Sequence, residues 1–312
     1  MLHYNLGYAC INTELSSRKV KVSTNRTMRR KTFDEKGLDY VSEIILQNVT
    51  DLLTILKWNA ENDIHFFRMS SEMFPWASEY ALEDLKDFDK IEETLFKAGL
   101  FAEEHNIRLT THPGPFNKLC SPNEQVVQNT IRDLEIHGKM MDLLCQPRSP
   151  WAKINIHVGG AYNDKPMALG NFCRNFARLS EAVRTRLTVE NDDKESLYST
   201  KELYDGVFKV IGIPIVHDYH HHTMCTGGLT QQEAVELALT TWGDVVPVVH
   251  YSQSRAIEHN DPKIKPQAHS DSYWTPIDTY GHRMDIMLEC KHKEIGLFKM
   301  RELMAPDCIA AK

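Results

Sequence analysis

Residues that commonly bind metal ions stand at the ends of successive short apolar segments in this sequence. One histidine in such a place is usually structural, but six consecutive segments end in His, Asp or Glu. Imidazole and carboxylate together suit Zn, Mn or Fe, and so many ligands suit two or three ions rather than one. Closely spaced ions stabilise the attacking and leaving oxygens of a phosphoryl transfer. The six residues are His112, His157, Glu190, Asp218, His250 and Glu289.

Further histidines follow two of these segments. Asp218 is followed by the run His220–His222, of which one or two at most can face one metal ion. His269 lies in the long connection after His250. A buried carboxylate without a partner is costly, which favours metal binding over a purely structural role for the acidic residues.

Eight apolar segments alternate with segments of helical periodicity. One helical pattern is Leu38, Val41, Ile45, Leu52 and Leu56. Strands that alternate with helices pair in parallel, and eight such units predict one (β/α)8 TIM barrel over residues 1–312. An open, doubly wound sheet is the competing topology. The predicted strands are Leu2–Cys10, Ile64–Met69, Ile107–Thr111, Ala152–Val158, Leu187–Glu190, Pro214–Asp218, Val245–His250 and Met284–Glu289.

Three connections are too long for simple turns and each follows a strand. They cover about residues 11–37, 219–229 and 251–283. In a parallel barrel all strands end at the same face, where long connections build the active site. The barrel therefore predicts that the strand-end residues converge on one mouth.

Composition favours a soluble globular protein in a reducing compartment. The net charge is −7, and the seven cysteines are scattered without a CxxC pair. We find no basic segment followed by an apolar one at the start, and no apolar stretch long enough to cross a membrane. These features predict an intracellular location without membrane attachment.

A basic segment contrasts with the acidic chain. No Asp or Glu occurs between Glu14 and Asp34. A charged run is commonly a solvated loop, but beside a metal mouth we interpret this basic arm as a contact for DNA phosphates. Its basic residues are Arg18, Lys19, Lys21, Arg26, Arg29, Arg30 and Lys31.

Several long motifs resemble the UV damage endonuclease family, in the same order and over nearly the whole chain. The strongest is Leu187-Thr188-Val189-Glu190-Asn191-Asp192-Asp193. The others are Arg68-Met69-Ser70-Ser71 with Pro75, Thr111-His112-Pro113-Gly114, the run from Ile154 to Tyr162, Asp218-Tyr219-His220-His221, His250-Tyr251-Ser252, His269-Ser270-Asp271 and Glu289-Cys290-Lys291-His292-Lys293.

The resemblance implies a TIM barrel related to endonuclease IV and the xylose-isomerase-like enzymes. It implies incision of damaged double-stranded DNA on the 5′ side of pyrimidine photodimers and some other lesions, in the nucleoid or the nucleus. It also implies a cluster of two or three divalent ions, with Mn²⁺ favoured and Zn²⁺ or Fe²⁺ open. The implied ligands are His112, His157, Glu190, Asp218, His221, His250, His269 and Glu289.

Three positions depart from the family pattern. Glu79 stands where a histidine is usual, and we expect it to be a further ligand. Val248 replaces a lysine two residues before His250, which questions any role of a lysine near the metals. In the loop after His112, Pro115 stands where the family often has a glutamine that probes the lesion, so the amide is lost, while Phe116 keeps the aromatic that can stack.

Roles follow for catalysis and for DNA contact. We expect Glu190, Glu289 and His157 to act in the reaction, with the two glutamates as bridging ligands. The expected DNA contacts are Tyr8, which ends the first strand, together with Pro115, Phe116, Arg26, Arg29 and Arg30. Tyr273 and Trp274 are further stacking candidates.

Three alternative functions stay open at this point. An apurinic-site endonuclease would differ only in the lesion. A sugar isomerase or epimerase would use the same barrel and similar ligands, without a basic arm. A non-catalytic binder of damaged DNA would explain Glu79 and Val248 as signs of a decayed site. No protein partner is inferred.

Overall fold

Eight parallel strands close into a barrel in the computed structural model, which describes residues 4–305. The first strand pairs with both the second and the last, for example Gly7 with Phe66 and with Met287. This confirms the predicted TIM barrel and rules out the open sheet. The strands are β1 Leu6–Ala9, β2 Phe66–Met69, β3 Arg108–Thr111, β4 Ile154–His157, β5 Leu187–Glu190, β6 Ile215–Asp218, β7 Val248–Tyr251 and β8 Asp285–Leu288.

The predicted strands all exist, and most are shorter than expected. The prediction for the fifth strand, Leu187–Glu190, matches β5 at both ends. The first predicted strand began at Leu2, which lies outside the described residues, and β1 begins at Leu6. Apolar residues continue past the paired segment in several cases, so the sequence pattern overstates strand length.

Helices cover the outside of the barrel. The pattern that starts at Leu38 forms the inner face of α2, where Val41, Ile45 and Leu52 are buried. Among residues 4–305, no helix has both the length and the apolar character needed to cross a membrane. The helices are α1 Thr13–Ser17, α2 Arg30–Glu61, α3 Phe88–Glu104, α4 Glu124–Leu143, α5 Lys165–Phe176, α6 Glu181–Arg184, α7 Thr200–Leu203, α8 Lys209–Ile211, α9 Tyr219–His222, α10 Gln231–Leu239, α11 Arg255–Glu258 and α12 Lys293–Leu303.

Side chains that point into the barrel form layers. Phe66, Val216, Val248 and Met287 lie in one buried apolar cluster. Successive side chains of a strand alternate between its two faces, so the residue two positions later points the same way, one layer nearer the carboxyl ends. In the layer nearer the carboxyl ends, the corresponding residues are Arg68, Asp218, His250 and Glu289. A layer of polar side chains therefore lies directly above the apolar layer.

A buried ion pair closes the opposite end of the barrel. Arg108 is fully buried, and its guanidinium binds Asp285 Oδ2 at 2.9 Å and the carbonyl oxygen of Val246 at 2.9 Å. It also lies 4.5 Å from the ring of Trp151. A buried charge requires such partners, so this end is structural rather than functional.

Short helices lie in all three long connections. The first contains α1 and the start of α2, which bends at Gly37 because φ there is +65°. The second contains α9, and the third contains α11 and an antiparallel bridge between Ser254 and His269. The loops around the mouth therefore contain regular secondary structure, which can hold the residues on them in fixed positions.

Candidate metal centre at the barrel mouth

Glu190 is the residue around which the mouth is organised. It ends β5, is 1% exposed, and four imidazoles surround its carboxylate. The distances are 3.1 Å to His112 Nε2, 3.1 Å to His250 Nδ1, 3.5 Å to His221 Nδ1 and 4.0 Å to His157 Nε2. These histidines come from β4, β7, α9 and the residue after β3, so the closed barrel brings them together as the strand ends predicted.

Three sets of side chains at the mouth each offer metal-ligating atoms within 4.8 Å of one another, and a fourth set, Glu258, His259 and Asp271, lies apart from them in sequence. The three sets at the mouth overlap in Glu190 and His250, so neighbouring ions at this mouth would share a carboxylate ligand, as closely spaced ions do. The sets are His112 with Glu190 and His250, His157 with Glu190 and His221, and Asp218 with His250 and Glu289.

Unpartnered atoms show that this arrangement fits metal ions. Asp218 Oδ2 and His250 Nδ1 are buried and have no hydrogen-bond partner. His250 Nδ1 lies 3.3 Å from Glu289 Oε1 without hydrogen-bond alignment. Buried polar atoms without partners are rare because they cost free energy, and a cation held by Asp218, His250 and Glu289 would satisfy both. Nitrogen and oxygen ligands suit Mn²⁺, Zn²⁺ or Fe²⁺ alike.

Burial and charge shift the pKa values of these groups in opposite directions. Burial lowers the pKa of His112 to about 4, although Glu190 opposes it. Burial also acts to lower the pKa of His157, but Glu190 and Asp192 outweigh it and raise that pKa to about 10. Burial raises the pKa of Asp218. Burial opposes ionisation of Glu190 as well, but His250 and His157 hold its pKa well below the ordinary value.

Two buried cations also reach the mouth. The side chain of Arg68 points into the barrel and forms an ion pair with Glu289, and both side chains are nearly buried. Lys153, just before β4, is fully buried, and its Nζ lies 3.1 Å from His250 Nε2. Burial lowers the pKa of Lys153 to about 7. Neither residue was expected at the site, because basic side chains are not metal ligands.

Asn155 supports Glu190 from below. Its amide nitrogen donates to Glu190 Oε2, and its amide oxygen accepts a hydrogen bond of 2.8 Å from Thr188 Oγ1. Asn155 stands two residues before His157 and therefore faces the barrel interior. The two-residue spacing from His157 could have identified Asn155 from the sequence. A search restricted to metal-ligating residue types does not include asparagine and therefore missed it.

Asn191 orients the neighbouring strand end. Its side chain accepts a hydrogen bond of 2.7 Å from the backbone nitrogen of Asp218, and its carbonyl oxygen lies 2.9 Å from His221 Nδ1. With Nδ1 directed at the carbonyl, His221 has Nε2 left as its metal-ligating atom. Partners of this kind fix the tautomer and the ring orientation of histidine ligands.

The other histidines of the run turn away from the centre. His222 directs Nε2 to the carbonyl oxygen of Leu229 at 3.2 Å. The ring of His220 packs edge-on against His269 at 5.8 Å. His269 itself lies beside Glu289, with Nδ1 3.0 Å from that residue's carbonyl oxygen. One member of the run thus faces the candidate site, within the one or two expected.

Glu79 does not join the ligands, contrary to the sequence expectation. It lies in a short 3-10 turn after β2, its side chain is 41% exposed, and it pairs with Arg30 at 3.2 Å. The inward position at this strand end is occupied by Arg68.

The basic arm is partly neutralised by its own contacts. Arg26 binds Asp51 at 2.7 Å and donates to the carbonyl oxygens of Ser23 and Lys21, so it holds the arm together. Arg30 pairs with Asp34 and Glu79. These contacts do not favour the expected DNA roles of Arg26 and Arg30. Arg29, Lys19 and Lys21 are exposed.

Tyr8 lies in the core, away from the surface where DNA would bind. It is fully buried, its hydroxyl donates to Asn59 Oδ1 at 2.7 Å, and its ring packs against Phe67 at 5.1 Å. Tyr8 therefore faces the helix layer outside the barrel, and the expectation that it stacks on DNA does not fit this placement. Tyr273 is also buried, whereas Trp274 is 41% exposed.

The loop after His112 presents an aromatic ring to solvent. Phe116 is 63% exposed and Pro115 beside it is exposed. The ring covers Gly114, where a Cβ atom would come within 2.5 Å of it. Asn117 anchors the loop by donating to Asp133 at 2.7 Å and to the carbonyl oxygen of Gly114 at 3.1 Å. The aromatic ring is thus held outward on a rigid loop.

Comparisons with known proteins identify relatives that match nearly the whole chain. The family model described as UV-endonuclease UvdE matches residues 4–311. A UV-damage endonuclease of Schizosaccharomyces pombe is 36% identical over 97% of this chain, which spans about half (51%) of that relative. A UV DNA damage endonuclease of Bacillus cereus is 32% identical, with 88% of this chain and 86% of the relative covered.

A solved structure shows the same architecture. The crystal structure of SacUVDE superposes with a TM-score of 0.82 and 31% sequence identity, covering 97% of this chain and 98% of that one. Family model, relatives and structure all extend over nearly the whole chain. This chain belongs to the UV-endonuclease family UvdE.

Proposed function

We propose that this protein is a metal-dependent DNA repair endonuclease that hydrolyses the phosphodiester bond immediately 5′ of UV photolesions. Its substrates would include pyrimidine dimers and 6-4 photoproducts, with abasic sites as a further lesion. The observation that carries the proposal is the overlap of three donor sets around Glu190 and His250 in a chain of the UvdE family. Relatives named UV-damage endonucleases support the same activity.

The mouth would hold two or three divalent ions, with Mn²⁺ as the first candidate. Bound ions would supply Lewis-acid stabilisation of the phosphate and activation of water at neutral pH. The two described sets that contain Glu190 supply the protein ligands of neighbouring ions. Asp218, His269 and Glu289 complete the opposite side.

Glu190, Glu289 and His157 would act closest to the reacting phosphate. Glu190 is fixed by Asn155 from below, so it can share ions without changing position. His157 is 23% exposed, the largest value among the side chains around Glu190, and thus lies on the open side of the mouth. Arg68, paired with Glu289, would offset negative charge that develops on the phosphate.

DNA would be held by surfaces on either side of the mouth. Lys19, Lys21 and Arg29 of the basic arm are exposed and suited to phosphates, and such contacts make binding salt-dependent. Phe116 would stack in the space next to a distorted or extruded base, where a lesion reduces the cost of unstacking. Pro115 beside it limits the loop to shape recognition, since it offers no side-chain hydrogen bonds.

The direct test uses an end-labelled duplex with one site-specific cyclobutane dimer, with Mn²⁺ or with EDTA. We expect a metal-dependent cut just 5′ of the dimer and none on the undamaged duplex. A cut at an abasic site alone would keep the nuclease and change its lesion. A protein that binds metal and cuts no damaged duplex would refute the proposal, and isomerase assays would follow.

A further inference from the structure

Tyr162 is an exposed aromatic residue beside the mouth, and packing does not explain it. It stands five residues after His157, in the loop between β4 and α5, and it is 39% exposed. Its ring belongs to none of the three apolar clusters formed within residues 4–305. Turns at the surface ordinarily carry small or polar residues, so the presence of a tyrosine here needs another cause.

The backbone at Tyr162 is unfavourable for an aromatic residue. Tyr162 and Asn163 are both left-handed, with φ of +49° and +61°. The backbone nitrogen of Asp164 donates to the carbonyl oxygen of Ala161 at 2.8 Å, which closes a turn around them. Turns with positive φ at both central residues are dominated by Gly, Asn and Asp, because a bulky side chain is strained there. Strain of this kind concentrates at functional sites.

A second tyrosine in the same backbone setting provides a contrast. Tyr280 has φ of +51° and is followed by Gly281 at +77°. The backbone nitrogen of His282 donates to the carbonyl oxygen of Thr279 at 2.9 Å, which closes this turn. The ring of Tyr280 packs against the largest apolar cluster, so burial offsets the strain. Tyr162 has the strain without that packing.

The loop holds the ring of Tyr162 in a defined place. The hydroxyl end of the ring lies over Gly160, where a Cβ atom would lie 3.0 Å from Cε2 and 3.5 Å from the hydroxyl oxygen. The carbonyl oxygen of Gly160 accepts hydrogen bonds from the hydroxyl of Tyr198 at 3.1 Å and from Cys120 Sγ at 3.4 Å. Both donors are buried. The ring is therefore folded back along an anchored loop toward the end of β4.

Tyr162 and Phe116 occupy matching places on neighbouring loops. Phe116 follows His112 by four residues, and Tyr162 follows His157 by five. The rings of these two histidines lie 5.5 Å apart at the mouth. Each aromatic ring lies over the glycine two residues before it and remains exposed to solvent. One side of the mouth thus presents two exposed rings that are held in the same way.

We propose that Tyr162 is a second DNA-contacting aromatic residue, which stacks on a nucleobase that is unstacked at the lesion. The inference rests on the proposed function, because it needs damaged DNA at the mouth. An aromatic ring stacks on any base through its π face, so the contact recognises exposed bases rather than a sequence. A lesion lowers the cost of exposing bases, which makes the contact selective for damaged duplexes.

The test compares two substitutions by fluorescence anisotropy in EDTA. Tyr162→Asn removes the ring and introduces a residue that tolerates the left-handed backbone, so the Tm should stay unchanged or rise. Its affinity for a dimer-containing duplex should fall by about 5- to 150-fold, the range for loss of one base–aromatic stack. Tyr162→Phe keeps the ring and should bind as the wild type does. Full affinity of Tyr162→Asn, or equal weakening by Tyr162→Phe, would overturn the proposal.

Tyr280→Asn is the matched control, because it makes the same change in a turn with the same sign of φ. It should lower the Tm, since this ring packs against the core, and leave lesion affinity unchanged. Equal losses of lesion affinity in Tyr280→Asn and Tyr162→Asn would overturn the proposal. A wild-type protein without preference for the dimer would overturn the proposed function as well. Lesion-specific wild-type binding that Tyr162→Asn retains in full would overturn this inference alone.

Discussion

Replacing Glu190 by Gln removes one charge from the centre of the mouth and keeps the shape of the side chain. Glu190 belongs to two of the three donor sets and contacts four imidazoles. We expect Glu190→Gln to lose metal affinity and cleavage by more than about 100-fold, since even partners behind the ligands are worth 10- to 100-fold. DNA affinity in EDTA should not fall, because exposed basic residues supply it.

The same substitution has a measurable effect on His157 in the metal-free protein. At 4.0 Å, the distance between His157 Nε2 and Glu190 Oε2, two unit charges interact by about 4 kcal/mol at an effective dielectric constant of 20. That energy corresponds to about three pKa units. The pKa of His157, about 10 in the wild-type protein, should therefore fall to about 7 in the variant.

The sign of the pH dependence follows. A raised pKa means that metal ions must displace a proton from His157 at neutral pH, so the wild-type affinity for Mn²⁺ should rise as pH increases toward about 10. Proton release on binding, measured by calorimetry in two buffers of different ionisation enthalpy, checks this directly. The pKa itself is measured by NMR titration of the His157 ring in the metal-free protein.

A matched control separates the local effect from a general loss of charge. Glu195→Gln removes one charge from the exposed part of the loop that follows β5 and should leave cleavage, metal content and the pKa of His157 unchanged. The reasoning fails if Glu190→Gln cleaves damaged DNA at near-normal rates. It also fails if the pKa of His157 stays near 10 in that variant, because another group would then hold the proton.

Three further perturbations test other parts of the molecule. Phe116→Ala should weaken binding to a dimer-containing duplex by about 5- to 150-fold, which is the range for loss of one base–aromatic stack. The control Phe96→Ala, on the exposed face of α3, should have no effect. Binding is measured by fluorescence anisotropy, and equal losses of affinity in the two variants would contradict the proposed stacking. Arg108→Ala should lower the free energy of unfolding by about 3–5 kcal/mol because it leaves the buried carboxylate of Asp285 without a cation, and a loss below about 1 kcal/mol in urea titration would argue against a structural ion pair. Glu79→Gln should keep full metal stoichiometry by elemental analysis, and loss of an ion would restore Glu79 as a ligand.

The strand ends were predictable because the barrel imposes a simple rule on the sequence. Apolar strands buried on both faces stand out as short runs, and ligand-type residues at their carboxyl ends are unusual enough to be noticed. His112, His157, Glu190 and His250 converge as expected for that reason. The sequence carries this information locally, one strand at a time.

Direction was harder to predict than position. Tyr8 was expected to end its strand and lie at the mouth, but β1 ends at Ala9, Gly7 and Ala9 take the inward face, and Tyr8 points to Asn59 of α2. The two-residue alternation of a strand determines the direction of Tyr8, but only once it is known whether Tyr8 or its neighbours Gly7 and Ala9 point into the barrel. Glu79 failed for a different reason, since it lies in a turn whose geometry has no periodic signal.

The buried cations were missed because a search for metal ligands excludes basic side chains. Arg68 and Lys153 contact Glu289 and His250 only through the closure of the barrel, across strands far apart in sequence. A basic residue two positions after an inward apolar one is a signal that can be searched for. It identifies Arg68, which follows Phe66, but not Lys153, which precedes its strand.

The acidic net charge of the chain agrees with DNA binding once the mouth is considered separately. The chain carries −7, and the pKa values of Glu190 and Glu289 are both lowered, so both are ionised at neutral pH. Arg68 opposes Glu289, and protonated His157 opposes Glu190. Each divalent ion bound there would add two positive charges, of which one is offset when His157 loses its proton. Phosphate would then be attracted more strongly to the loaded site than to the empty one. The basic arm contributes to DNA affinity whether or not metal is bound. Metal should therefore raise DNA affinity most for duplexes whose lesion brings a phosphate into the mouth. Lesion recognition would then depend on the same metal ions that make the centre catalytically competent.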